Sequence, residues 1–252
     1  MIILVKNPLF MSNTSNFRQI MAEAKGQSLI GPNVIKNALP YLGGGLVLTA
    51  AGTFGGLSVM QGNPGLFMTT FWVALIGNFI GFFVAMRVGQ SGNNATALPL
   101  LTLYSLLSGY TLSGIIYLAL QTSGVGIQGI GVAALGCGVT FVVARSIGSN
   151  LSEEDGIALS RTVSLALIGL VVVMLLQIVL SFFGVITPTF LEVAISGFGV
   201  LLFAGVSVVD FFVLPRTYRD DQYLAAALSM YLTYINLFIF ILRLLIALNG
   251  RD

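Results

Sequence analysis

An all-α integral membrane protein with seven spanning helices is what this sequence predicts, and three observations carry the prediction. Charge is scarce: 8% of the 252 residues are charged and 56% are hydrophobic, whereas soluble domains carry roughly 25% charged residues. So few charges cannot clothe a water-facing surface, so most of the exterior must meet lipid. Seven apolar runs, five of them uncharged, have the roughly 20 residues that a helix needs to cross a hydrocarbon core about 30 Å thick. Finally, Lys and Arg occupy alternate loops, the asymmetry that orients a polytopic chain.

In chain order the spans are Ala38–Met60, Leu66–Met86, Ala97–Leu120, Gly126–Ala144, Thr162–Phe183, Thr189–Leu214 and Tyr223–Leu248. The joints between them carry turn chemistry: Gln61 to Gly65 with Asn63-Pro64, Gln90 to Asn94 with Gly92, and Thr187-Pro188. The 30 glycines suit spanning helices, because small residues let backbones approach. Transmembrane β-strands alternate polar and apolar residues over about ten positions. The long continuous runs exclude that pattern.

Lys6, Arg18, Lys25 and Lys36 precede the first span. Arg87 follows the second, Arg145 and Arg161 lie between the fourth and fifth, and Arg216 and Arg219 between the sixth and seventh. The loops after the first, third and fifth spans have no Lys or Arg. The rule that positive charge stays inside therefore predicts a cytoplasmic N-terminus and a C-terminus on the opposite side. Residues 1–37 read as a cytosolic lead-in and 38–252 as the membrane domain. Met1 to Phe10 is apolar but short, with no small-residue cleavage site after it, and Met11 is an alternative translation start. The lack of a signal peptide, together with short loops, suits a bacterial inner membrane.

Several chemistries are excluded. There is no histidine, which removes His-based triads, the usual zinc protease site and histidine haem ligation. Within the spans, Asp210 has no second aspartate to make an aspartyl protease pair. Cys137 is the lone cysteine and cannot form an intramolecular disulfide. Gly124-Val125-Gly126-Ile127-Gln128-Gly129 matches the dinucleotide fingerprint literally, but no β-strand precedes it. Three glycosylation-type triplets, at Asn13, Asn94 and Asn150, all fall on the predicted cytoplasmic side. A net charge of +2 is too small for nucleic-acid binding. The expectation is a non-enzymatic protein without a cofactor, whose first partner is the lipid bilayer.

What remains is a short set of polar groups inside the membrane, where each is costly and hence a functional candidate. They are Glu192 and Asp210 in the sixth span and Arg243 in the seventh, with Asn78, Gln177 and Asn236 as neutral companions. Depth along antiparallel helices brings Glu192 and Arg243 to the same level near the outer surface, as a structural ion pair or an outer gate charge. Asp210 follows Glu192 by eighteen residues, about 27 Å at 1.5 Å per residue, which puts it near the cytoplasmic end. Arg87 is the expected partner there, with Arg145 and Arg216 as alternatives. A snorkelling interfacial carboxylate is the bland reading of Asp210. The functional reading is a titratable latch, burial opposing its charge and an arginine favouring it.

The stretch Ala227 to Leu245, Ala-Leu-Ser-Met-Tyr-Leu-Thr-Tyr-Ile-Asn-Leu-Phe-Ile-Phe-Ile-Leu-Arg-Leu-Leu, resembles the last helix of the Bax inhibitor 1 family, the transmembrane Bax-inhibitor-motif proteins. Leu202 to Asp210 resembles that family's sixth helix, and Ser105 to Gly114 its third more loosely. The resemblance implies a bundle whose last helix is central and wrapped by the other six. It also implies a pH-sensitive calcium leak closed by two aspartates, in the sixth and seventh helices. Asp210 matches the first, and Thr233 stands where the second would be. The gating and ion-pathway candidates are therefore Asp210, Thr233, Asn236 and Arg87, with Asp210 the candidate calcium contact. The missing second acid brings the chain nearer to the bacterial YccA-type branch. For that branch the resemblance implies a different partner, the membrane AAA protease FtsH, with Met11 to Asn37 as the cytosolic handle.

Overall fold

A computed structural model describes residues 29–184 and 187–250. Seven helices are long and apolar enough to cross a membrane. They are α1 (Val34–Gly62), α2 (Pro64–Gln90), α3 (Asn94–Gln121), α4 (Gly126–Gly148), α5 (Glu153–Phe182), α6 (Thr189–Thr217) and α7 (Tyr223–Asn249). A short 3-10 turn, Asp220–Gln222, leads into α7. There is no strand among the described residues. The protein is thus the all-α, seven-helix membrane protein that its composition predicts. The translation start and most of the N-terminal lead-in lie outside the described residues.

Local chemistry explains the helix starts. Asn63 caps α2 by accepting the Leu66 N–H at 3.0 Å, with Pro64 at the first helical position. Asn93 caps α3 through the Thr96 N–H at 3.3 Å. Ser152 caps α5 through the Asp155 N–H at 3.1 Å, and Glu153, Glu154 and Asp155 sit in that first turn, where the helix dipole favours negative charge. α5 therefore begins nine residues before the predicted span, the extra turns being charged and inward of the apolar run. Gly124 and Gly126 adopt positive φ, +77° and +50°, so the false dinucleotide fingerprint is a helix-entry turn.

Packing ranks the helices. α7 buries eleven residues, whereas α2 and α5 bury four each. No residue from Gln222 to Ala247 is exposed. α7 packs against α1, α2, α3, α4 and α6, while α5 packs against α6. Five of the six other helices thus make the main contacts of the last helix. α2 and α5 turn large apolar side chains outward, among them Trp72, Phe79, Leu165 and Val172, as lipid-facing helices must. α1 and α3 make the closest pair: a Cβ at Gly109 would collide with the Thr49 carbonyl, and one at Gly52 with that of Leu106.

Candidate functional site

The α6–α7 interface carries polar groups at both ends. At the end next to the α6–α7 connection, Asp210 of α6 is buried. Thr233 donates its hydroxyl to Oδ2 of Asp210 at 2.6 Å, and Ser229 donates to Oδ1 at 3.4 Å. Ser229 and Thr233 are four residues apart on α7, so helical geometry puts both hydroxyls on one face. The structure brings Asp210 and Thr233 together.

Arg87 is not the partner of Asp210. It is exposed, whereas Ala85 and Gly89 on either side are buried, and Gly89 abuts Ala225 of α7. Two residues' displacement turns a helical side chain about 200°, so the face that packs Gly89 on α7 points Arg87 outward. Arg145 is likewise exposed. Arg216 donates to the Phe212 carbonyl at 2.6 Å and lies over the Phe212 ring, 3.9 Å from its centroid. Hydroxyl donors thus hold Asp210 where a guanidinium was expected. Asn236, the other neutral gating candidate, donates to the Leu232 carbonyl of its own helix at 2.8 Å.

At the opposite end, Arg243 donates to Glu192 at 2.8 Å, with both side chains about a quarter exposed (24% and 29%). Gln177 of α5 donates to the other Glu192 oxygen at 3.0 Å and to Thr187 at 3.3 Å. The Arg243 guanidinium also lies 5.8 Å from the Phe240 ring centroid. One carboxylate therefore ties three helices together.

The Asp210 end is capped by the α6–α7 connection. Asp220 accepts from the Asn33 backbone at 2.8 Å and its side chain at 3.1 Å. Asn94 donates to the Asp221 carbonyl at 2.9 Å, Gln90 donates to the Tyr218 hydroxyl at 3.2 Å, and Gln222 returns a bond to the Gln90 carbonyl. Burial pushes the Tyr218 phenol above its ordinary range, the Gln90 bond opposing and the Asp210 charge adding to the rise. Tyr218 therefore stays a neutral hydroxyl between the cap and Asp210.

Sequence reasoning missed a second polar thread. Tyr231 of α7 shares a hydrogen bond with Thr49 of α1, and Ser108 of α3 donates to Asn78 of α2 at 3.1 Å. Neutral hydroxyls at helical spacing look like small packing residues; the run of Ser105, Ser108 and Thr49 was the available signal. The hydroxyls of Ser105 and Ser196 are buried without a partner among the described residues.

No group of three or more His, Cys, Asp or Glu residues that could hold a metal occurs among the described residues. Asp210, Thr233 and Ser229 together offer four oxygens, fewer than the six to eight that calcium takes.

Comparison with known proteins adds a lineage. The family described as inhibitor of apoptosis-promoting Bax1 matches residues 31–250. An uncharacterized membrane protein of Streptococcus pyogenes serotype M1 is 31% identical over 195 residues, 75% of this chain and 77% of its own length. Uncharacterized membrane proteins of serotypes M6 and M3 are 31% and 30% identical over the same shares.

Proposed function

Because the chain belongs to the Bax inhibitor family, we propose that it is a cation leak pathway of a bacterial inner membrane, with calcium as cargo and Asp210 as its inner closing group. The observation that carries this reading is the buried carboxylate held across the α6–α7 interface by Thr233 and Ser229. A carboxylate in the membrane is costly and conserves its place chiefly on ion or proton paths. Its hydroxyl partners can release it without leaving a second charge stranded. The latch is degenerate: Thr233 contributes a donor but no acid, so no proton can be shared between two carboxylates. The N-terminus is cytoplasmic in this reading, and the protein transports rather than catalyses.

The test is calcium entry into liposomes containing the purified protein, followed with an internal dye across pH. Flux that varies with pH and loses that variation in Asp210→Asn is expected. No flux above empty liposomes at any pH would end the transport reading.

The missing acid at Thr233 favours a second reading, a regulatory protein that binds a membrane AAA protease of the FtsH type. It predicts that deleting Met11 to Asn37 abolishes association with the protease and changes turnover. Unchanged association and turnover would remove it.

A further inference from the structure

The two polar ends of the α6–α7 interface lie on one line, and an aromatic pair interrupts it. Four contacts fix the face of α6 that meets α7: Glu192 with Arg243, Gly199 and Phe203 with Phe240, and Asp210 with Thr233. Helical register places Ser196 on that face between Glu192 and Gly199, and Ser207 between Phe203 and Asp210. The seam therefore reads acid, hydroxyl, aromatic block, hydroxyl, acid from outside to inside.

The block is well seated. Phe240 stacks on Phe203 with centroids 5.5 Å apart and planes inclined by 22°. Its ring lies against Gly199 so closely that a Cβ there would overlap it. The Arg243 guanidinium, held by Glu192, lies 5.8 Å from the ring centroid. Phe240 is 1% exposed. Immediately outside it, the Ser196 hydroxyl is fully buried and has no partner among the described residues, so an unsatisfied polar group adjoins the aromatic pair. Apolar constrictions between polar chambers close by excluding water.

We propose that Phe240, stacked on Phe203 and seated on Gly199, is the constriction of a cation path between Glu192 and Asp210. The proposal rests on the transport reading and names a residue that reading does not use.

The experiment uses two readouts. In liposomes, Phe240→Ala, and Phe240→Leu as the variant that keeps more of the volume, should raise calcium flux severalfold over the unmodified chain. In a Cys137→Ala background, Ser196→Cys should react with a membrane-impermeant cationic thiol reagent added on the Glu192 side only. Ser207→Cys should react from the Asp210 side only, and Phe240→Leu should make each reachable from both sides. If Asp210→Asn changes flux but the Phe240 variants change neither flux nor sidedness, the constriction is overturned and the transport reading stands. If no variant conducts and Ser196→Cys is unreactive from either side, both fall.

Discussion

Thr233 carries the sharpest prediction at the scale of single residues. Its hydroxyl donates to a buried carboxylate at 2.6 Å, and hydrogen bonds to charged groups contribute roughly 1.5–3 kcal/mol. Thr233→Val keeps the shape and removes the donor, so thermal unfolding in detergent should show a loss of that order; an unchanged midpoint would mean that Asp210 does not rely on it. Thr233→Asp makes the opposite test, since a second acid beside Asp210 should steepen the pH dependence of calcium flux. The outer pair is weaker per charge because it is partly exposed. Glu192→Ala or Arg243→Ala should each cost about 1–3 kcal/mol, between surface and buried pairs. The double variant should cost less than the two singles summed, as a thermodynamic cycle would reveal. At this scale the identity of the polar residues was legible in the sequence, since charge within an apolar run stands out. Their partners were legible only in part. Depth alone puts Glu192 level with Arg243, but Arg87 and Asp210 are level too, and the facing of α2 separates them.

Between elements, the tightest joint is α1 against α3. Gly45, Gly52 and Gly56 of α1 meet Ser105, Leu106 and Ser113 of α3, and Thr49 meets Gly109. Thr53 donates to the Gly109 carbonyl at 3.0 Å. Such contacts associate helices in lipid, where burial of apolar surface gives no driving force between them. Gly109→Val must push the helices apart and stretch the Thr53 bond, so a loss of at least about 1–3 kcal/mol is expected. Size-exclusion chromatography of the purified variant should show aggregation or loss of the monodisperse peak. A substitution at Gly55, which has open space around it, should leave the peak unchanged. Helix existence was plain from the apolar runs. The length of α5 was not, because its first turns carry Glu153, Glu154, Asp155 and Arg161, and charge marks the end of a span without marking the end of a helix.

Across the whole molecule, the described basic residues other than Arg243 gather at one end. Arg87, Arg145 and Arg216 occupy the last turns of α2, α4 and α6, which all finish on the side capped by Asp220. Alkaline phosphatase fused after Asn249 should be active, and fused after Arg219 inactive, if that end is cytoplasmic; the reverse result would invert the orientation. Composition, apolar run length and the spacing of Lys and Arg determined by themselves that the chain is a seven-helix membrane protein, because lipid demands uncharged helices about 20 residues long whatever they touch. Only the tertiary structure decided which faces meet. Hydropathy is nearly uniform around these helices, since both lipid and protein neighbours accept apolar side chains. The sequence therefore holds little trace of which side of α2 turns Arg87 outward, why α5 leans on α6 instead of α7, or that Phe240 lies between two polar ends. Those follow from glycine contacts and hydroxyl pairs formed between residues far apart along the chain.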